Sequence, residues 1–148
     1  AKNKLRLEEL TRRHQNLQKQ HNYISTIIAD AEGQISRGHL YYPLEDNAYK
    51  TIAELLATDP GNVQGVGLEQ KADAAAARKI EQLLNSGSLN LANRELGRWE
   101  KVAAPSATRA HRTRYNQLQK TRTAMIEQTN SLLEQAKSLE EGAGGNDK

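Results

Sequence analysis

The sequence predicts an all-α, elongated protein, and three observations carry that reading. Ala, Leu, Glu, Gln, Lys and Arg, which are good helix formers, dominate the chain. No stretch alternates Val, Ile and Thr at period two, as a half-buried strand would. Apolar residues recur instead at spacings of three and four over long runs. Only 36% of the 148 residues are hydrophobic, 4% are aromatic and Phe is absent, so the core is expected to be thin and built from Leu, Ile and Ala. A chain of this length suffices for one domain. That domain is expected over 1–141, with a flexible glycine-rich tail, "GAGGNDK", over 142–148.

Five helices follow in order. In the first, over 1–37, Leu7, Leu10, His14, Leu17, His21, Ile24, Ile28, Ala31 and Ile35 form an unbroken heptad seam, the signature of a coiled coil. Gly38 is placed to end it, and "HLYYPLED" makes a loop holding Tyr41, Tyr42 and Pro43. Asp46 or Asn47 caps the second helix. Its stripe is Ala48, Ile52, Leu55 and Leu56, and it closes at Asp59, where the following Pro60 disfavours helical backbone. Asn62 caps a third helix running to about Asn85, with Leu68, Ala72, Ala75, Ala76, Ile80 and Leu83 along one side. Its four consecutive alanines, 74–77, let helix axes approach closely. "NSGS" turns the chain, and Ser88 is expected to cap a fourth helix whose stripe is Leu89, Ala92, Leu96, Trp99 and Ala103. It stops before Pro105. Ser106 then opens the last helix, 106–141, with Tyr115, Leu118, Arg122, Met125, Thr129, Leu132, Ala136 and Leu139 on its seam.

Charge is uneven along this frame. The formal net charge is +3, but residues 1–22 carry six Lys or Arg against two Glu, and residues 98–122 carry seven against one, with net acidic segments between and after them. There is no Cys, so disulfides and thiolate metal sites are excluded and the compartment is left open. No run approaches the roughly 18 apolar residues of a membrane span, and none resembles a signal-peptide core. A start that is already charged and helical, "AKNKLRLEEL", reads as part of a longer protein.

The stretch "NAYKTIAELLATDPGN" resembles the second helix and boundary of a tetratricopeptide repeat, a module of about 34 residues made of two antiparallel helices. Ala48 matches the small residue early in that helix and Pro60 the proline that closes it. A second copy, "GSLNLANRELGRWEKVAAP", matches through Gly87, Ala92 and Pro105, the last displaced by one. The chain departs from the family in its longer first loop, ten residues from Gly38 to Ala48 against five from Gly87 to Ala92, and in lacking the aromatic and Leu-Gly signature of helix one. Covering about residues 22–105, the whole looks like a divergent two-repeat module of bacterial envelope and signalling proteins, where it often follows a membrane helix. The resemblance implies a protein-binding scaffold or spacer in a larger, membrane-anchored bacterial protein, on the periplasmic side, a cytoplasmic setting being the alternative.

Two such hairpins must stack to bury their apolar faces, and the long first and last helices are expected to cover the ends. Their seams outrun a four-helix core. The simplest arrangement pairs their distal halves antiparallel within the chain as a stalk; the other pairs them between molecules.

Candidate site residues are few. His14 and His21 lie on the first seam about 10.5 Å apart along a helix, too far to ligate one metal, so they are expected to set register or oligomeric state. Protonation of such imidazoles below about pH 6.5 is expected to loosen the seam. Tyr41 and Tyr42, beside Pro43 in a loop, are the expected partner contacts, or else they pack on the adjoining hairpin. No phosphate-cradling, nucleophile or zinc motif is present, so no catalytic residue, metal or cofactor is expected. The rival to a protein-binding role is nucleic-acid or anionic-membrane contact through the basic segments 1–22 and 98–122. In the second segment, Arg109, Arg112, Arg114, Lys120 and Arg122 spread around the helix and form no single stripe.

Overall fold

A computed structural model describes residues 1–144 as five helices with no strand among them. They are α1 Lys2–Ser36, α2 Ala48–Thr58, α3 Val63–Asn85, α4 Leu89–Glu100 and α5 Pro105–Gly144. None is long and apolar enough to cross a membrane. The all-α class therefore stands, with the first and last helices the long ones.

The helix ends follow local chemistry. The Asn47 side chain accepts the Lys50 N–H at 2.9 Å, and Asn62 accepts the Gly65 N–H at 2.9 Å, so each cap satisfies an otherwise unpaired donor. Ser88 occupies the corresponding position of α4 without capping it; its hydroxyl meets Ser86 Oγ at 3.0 Å. The α1 and α3 C-termini close in the same way. Gly38 and Gly87 take φ values of 77° and 74°, and the next residues, His39 and Ser88, donate back to Gln34 and Leu83. This is the left-handed glycine cap. α5 starts one residue earlier than expected, because Pro105 fits the first helical position, where no N–H is needed. It also runs further, taking in Gly142 to Gly144 of the expected tail; residues 145–148 lie outside the described residues.

Consecutive helices pack antiparallel. Tyr49 on α2 meets Asp73 on α3 while Leu55 lies against Gly65, and Lys79 on α3 meets Glu95 on α4. Along α5, His111 reaches Glu81 and Arg114 reaches Asn85, so α5 runs parallel to α3. At the other side, the C-terminal end of α1, Ile35 and Ser36, lies beside Leu68 and Lys71 of α3. Helix α3 touches all four others, and α1, α3 and α5 point the same way.

One core joins them: Ile27, Ile28 and Ala31 from α1, Ile52 and Leu55 from α2, Leu68, Ala72, Ala76, Ile80 and Leu84 from α3, and Leu96 and Trp99 from α4. Trp99 is 1% exposed, as its place on the α4 stripe predicts. Leu84, and not Leu83, completes the α3 stripe. Gly65 marks the closest approach: a Cβ there would sit 3.0 Å from the methyls of Leu55 and Leu56.

The expected intrachain stalk is overturned. No contact joins α1 to α5 among the described residues. Only the last third of α1 and the first third of α5 enter the core, leaving arms over 2–23 and 119–144. Because the two helices are parallel, the arms leave from opposite ends of the core. The α1 arm passes the 59–62 turn and the α5 arm passes the 86–88 turn, so a pair within one chain is geometrically barred.

Candidate partner-binding surface

The loop over 37–47 brings the tyrosine pair onto α4. Tyr41 turns inward, 3% exposed, and its hydroxyl donates to Glu95 Oε2 at 2.7 Å. Tyr42 stays at the surface with its ring 4.2 Å from the Arg98 guanidinium. Of the two arrangements expected for the pair, Tyr41 takes packing on the adjoining hairpin, which withdraws it as a partner contact, while Tyr42 stays outward. Leu40 and Tyr41 both turn into the core, and the buried tyrosine is the one whose hydroxyl finds a carboxylate to accept its hydrogen bond.

Glu95 is the hub. Nearly buried itself, it lies 3.3 Å from Lys79 Nζ, 3.3 Å from Arg94 Nη2 and 3.4 Å from Arg98 Nη1. Burial pushes its carboxyl up, but the hydrogen bond from Tyr41 and the charges of Lys79 and Arg98 prevail and hold it below the usual carboxylate range. The same contact works in reverse on Tyr41, whose phenol is pushed far up by burial first and by the Glu95 carboxylate second. Lys79 also sits over the Tyr41 ring at 5.5 Å. Of these cations Lys79 and Arg98 join Glu95 on the rim of the loop, which leaves the rim positive by one. It surrounds a concavity of about 300 Å³ lined by His39, Tyr42, Pro43, Lys79, Glu95 and Arg98.

Behind the loop, Gln34 Nε2 donates to Asp46 Oδ1 at 2.7 Å. That bond, with help from Arg37 and His39, holds the Asp46 carboxyl below its ordinary range. The loop is therefore tied to α1 at one end and to α4 at Tyr41. Its Tyr42–Pro43 peptide is cis.

A second polar network lies inside the stack. Trp99 Nε1 donates to the Tyr49 hydroxyl at 2.7 Å, and that hydroxyl donates to Asp73. Burial first, then Asp73, pushes the Tyr49 phenol far up. Neither network was anticipated. Glu95 and Tyr49 each fall within the apolar faces of their helices, between Ala92 and Leu96 and between Ala48 and Ile52, and that misplaced polarity was the available signal.

The histidines of the first seam are in a different setting. His14 and His21 are exposed on the α1 arm, with no partner element alongside among the described residues. Among the described residues no group of three or more His, Cys, Asp or Glu is arranged to hold a metal. Of the basic residues in 98–122, Arg112 pairs with Glu100 and with Asn93 Oδ1 at 2.7 Å, and Arg114 pairs with Glu81. His111 contacts Glu81 at 2.8 Å. These groups fasten α5 to α3 and α4.

Compared with known proteins, the chain matches no family model, no curated protein and no solved structure.

Proposed function

We propose that this is a non-catalytic protein-binding domain, a scaffold or spacer with tetratricopeptide-like hairpins, belonging to a larger and membrane-anchored bacterial envelope protein on its periplasmic side. The observation that carries the binding role is the positive concavity around Tyr42. An aromatic ring stacked on Arg98 and sharing its concavity with Lys79, on helices locked by a shared core, is the composition of an interface anchor. An acidic protein segment complements it: side-chain carboxylates would meet the guanidinium groups and an apolar neighbour would cover Tyr42. The envelope setting rests on the repeat resemblance alone.

Peptide arrays of matched acidic, neutral and basic sequence test this. Acidic peptides are expected to be retained, and Tyr42→Ala and Arg98→Ala are each expected to weaken retention several-fold. Equal retention of neutral peptides, or indifference to both substitutions, would refute the reading.

The alternative, nucleic-acid or anionic-membrane contact, draws support from the α1 arm, whose Lys2, Lys4, Arg6, Arg12, Arg13 and Lys19 are exposed. It draws little from 98–122, where Arg98, Arg112 and Arg114 are held by carboxylates. Duplex DNA binding with a steep salt slope would favour it.

A further inference from the structure

The two arms present unlike surfaces that no other helix among the described residues covers. On the α1 arm Leu7, Leu10 and Leu17 are exposed at heptad spacing, and residues 2–23 carry six Lys or Arg against two Glu. On the α5 arm Met125, Leu132 and Leu139 are exposed at the same spacing, with Ile126 and Leu133 beside them. Over the whole arm, 119–144, Lys120, Arg122 and Lys137 stand against four Glu; the first two cations lie at its base, and beyond them 123–144 carries one Lys against four Glu. An open apolar groove of about 600 Å³ at the base of that arm, between Leu84, Leu89, Leu118 and Met125, is continuous with the stripe. Two seams with heptad spacing, one basic and one acidic, are the elements of a heterotypic coiled coil.

We propose that the α1 arm of one copy pairs with the α5 arm of a second copy, so that the chain associates head to tail. The occupant of each arm is a second copy because the complementary arm exists on this chain and points away from its own core. Stacking one core above another along the helix direction brings an upward α1 arm beside a downward α5 arm. Both then run in the same N-to-C direction, in a parallel pair. Like arms are disfavoured: two α1 arms would oppose basic to basic along their lengths, and two α5 arms acidic to acidic over 123–144. The contact is heterologous, leaving one arm of each kind free on every assembly, so growth is open unless a ring closes. His14 and His21 fall on the α1 side of the seam, as polar interruptions that select a register. The pairing is independent of what the core's own surface binds.

Sedimentation of the full chain over a wide concentration range is the test. The expected mass rises from 16.5 kDa without a plateau at the dimer, and raising the salt to about 1 M, where screening is nearly complete, lowers it. Two variants sharpen the result: Leu10→Gln with Leu17→Gln on α1, and Leu132→Gln with Leu139→Gln on α5. These positions are exposed and Gln favours helix, so circular dichroism should report an unchanged fold. Each variant alone is expected to be monomeric. Mixed, they are expected to form a 1:1 complex of twice 16.5 kDa, since each retains the arm the other lacks. A wild-type monomer at all concentrations would overturn the proposal. So would an α5 variant that still dimerises, which would indicate homotypic α1 pairing.

Discussion

Replacing Glu95 with Gln removes one charge from the hub while keeping its shape and an acceptor for Tyr41. The cost divides into parts of different size. Lys79, Arg94 and Arg98 keep 46%, 57% and 34% of their side chains exposed, so they are rehydrated when the carboxylate is lost, and each ion pair contributes at most about 1 kcal/mol. The Tyr41 hydrogen bond is buried and charge-assisted; such bonds contribute about 1.5–3 kcal/mol, and a neutral amide keeps roughly half of that. Glu95→Gln is therefore expected to lower stability by about 2 kcal/mol at pH 7. Tyr41→Phe should cost a similar amount, and the double variant less than the sum, because the two groups share one interaction. The pH dependence has a definite sign. The folded carboxyl titrates below its unfolded value of about 4.3, so its contribution is fully present above that pH and is lost as the pH falls through the folded value. Urea unfolding monitored by circular dichroism should show a wild-type advantage over Glu95→Gln that is flat from pH 7 to about 5.5 and shrinks towards pH 3. An advantage that stays constant down to pH 3, or a neutral effect at pH 7, would refute the assignment of Glu95 as a charged hub.

Other expectations follow from the packing. Gly65→Ala gains about 1 kcal/mol of helix propensity but forces a methyl to within 3.0 Å of Leu55 and Leu56, an overpacking cost of about 1–3 kcal/mol, so the melting temperature should fall. Gly67→Ala, two residues on with open space around it, should raise the melting temperature by the propensity gain alone. Gly38→Ala places a side chain at φ 77° and should cost about 1–2 kcal/mol in urea unfolding even though no atom crowds the added methyl. Tyr49→Phe leaves the buried Trp99 N–H without its acceptor and should cost about 1–3 kcal/mol, with a changed near-ultraviolet dichroism of this lone Trp.

Helix type and most boundaries were legible because they depend on neighbours in sequence. Asn47, Asn62, Gly38 and Gly87 act through bonds to residues within a turn or so, and the α4 stripe reports a core face through its own periodicity. The α1 and α5 seams are legible as stripes, but of the two expected arrangements the antiparallel pair within one chain is absent among the described residues. Periodicity states that a face seeks cover but carries no direction, and direction came from counting reversals: four turns make α1 and α5 parallel. The tyrosine pair shows a similar limit. Sequence places Tyr41 and Tyr42 in one loop, whereas the distinction between them depends on Glu95, far along the chain, and on Lys79 and Arg98 around it. Polar residues inside apolar stripes, Glu95 and Tyr49, were the marks that pointed to such long-range bonds.

An odd number of helices has a mechanical consequence. At 1.5 Å per residue, an arm of about 33 Å, a core as long as α3 at about 35 Å and a second arm of about 39 Å span roughly 100 Å between Lys2 and Gly144. Tension between them would enter α1 and leave α5 on opposite sides of α3, loading the core in shear through many side-chain contacts at once instead of peeling one helix away. Pulled between Lys2 and Gly144, the domain should resist force up to the point where the α3 interfaces slip together.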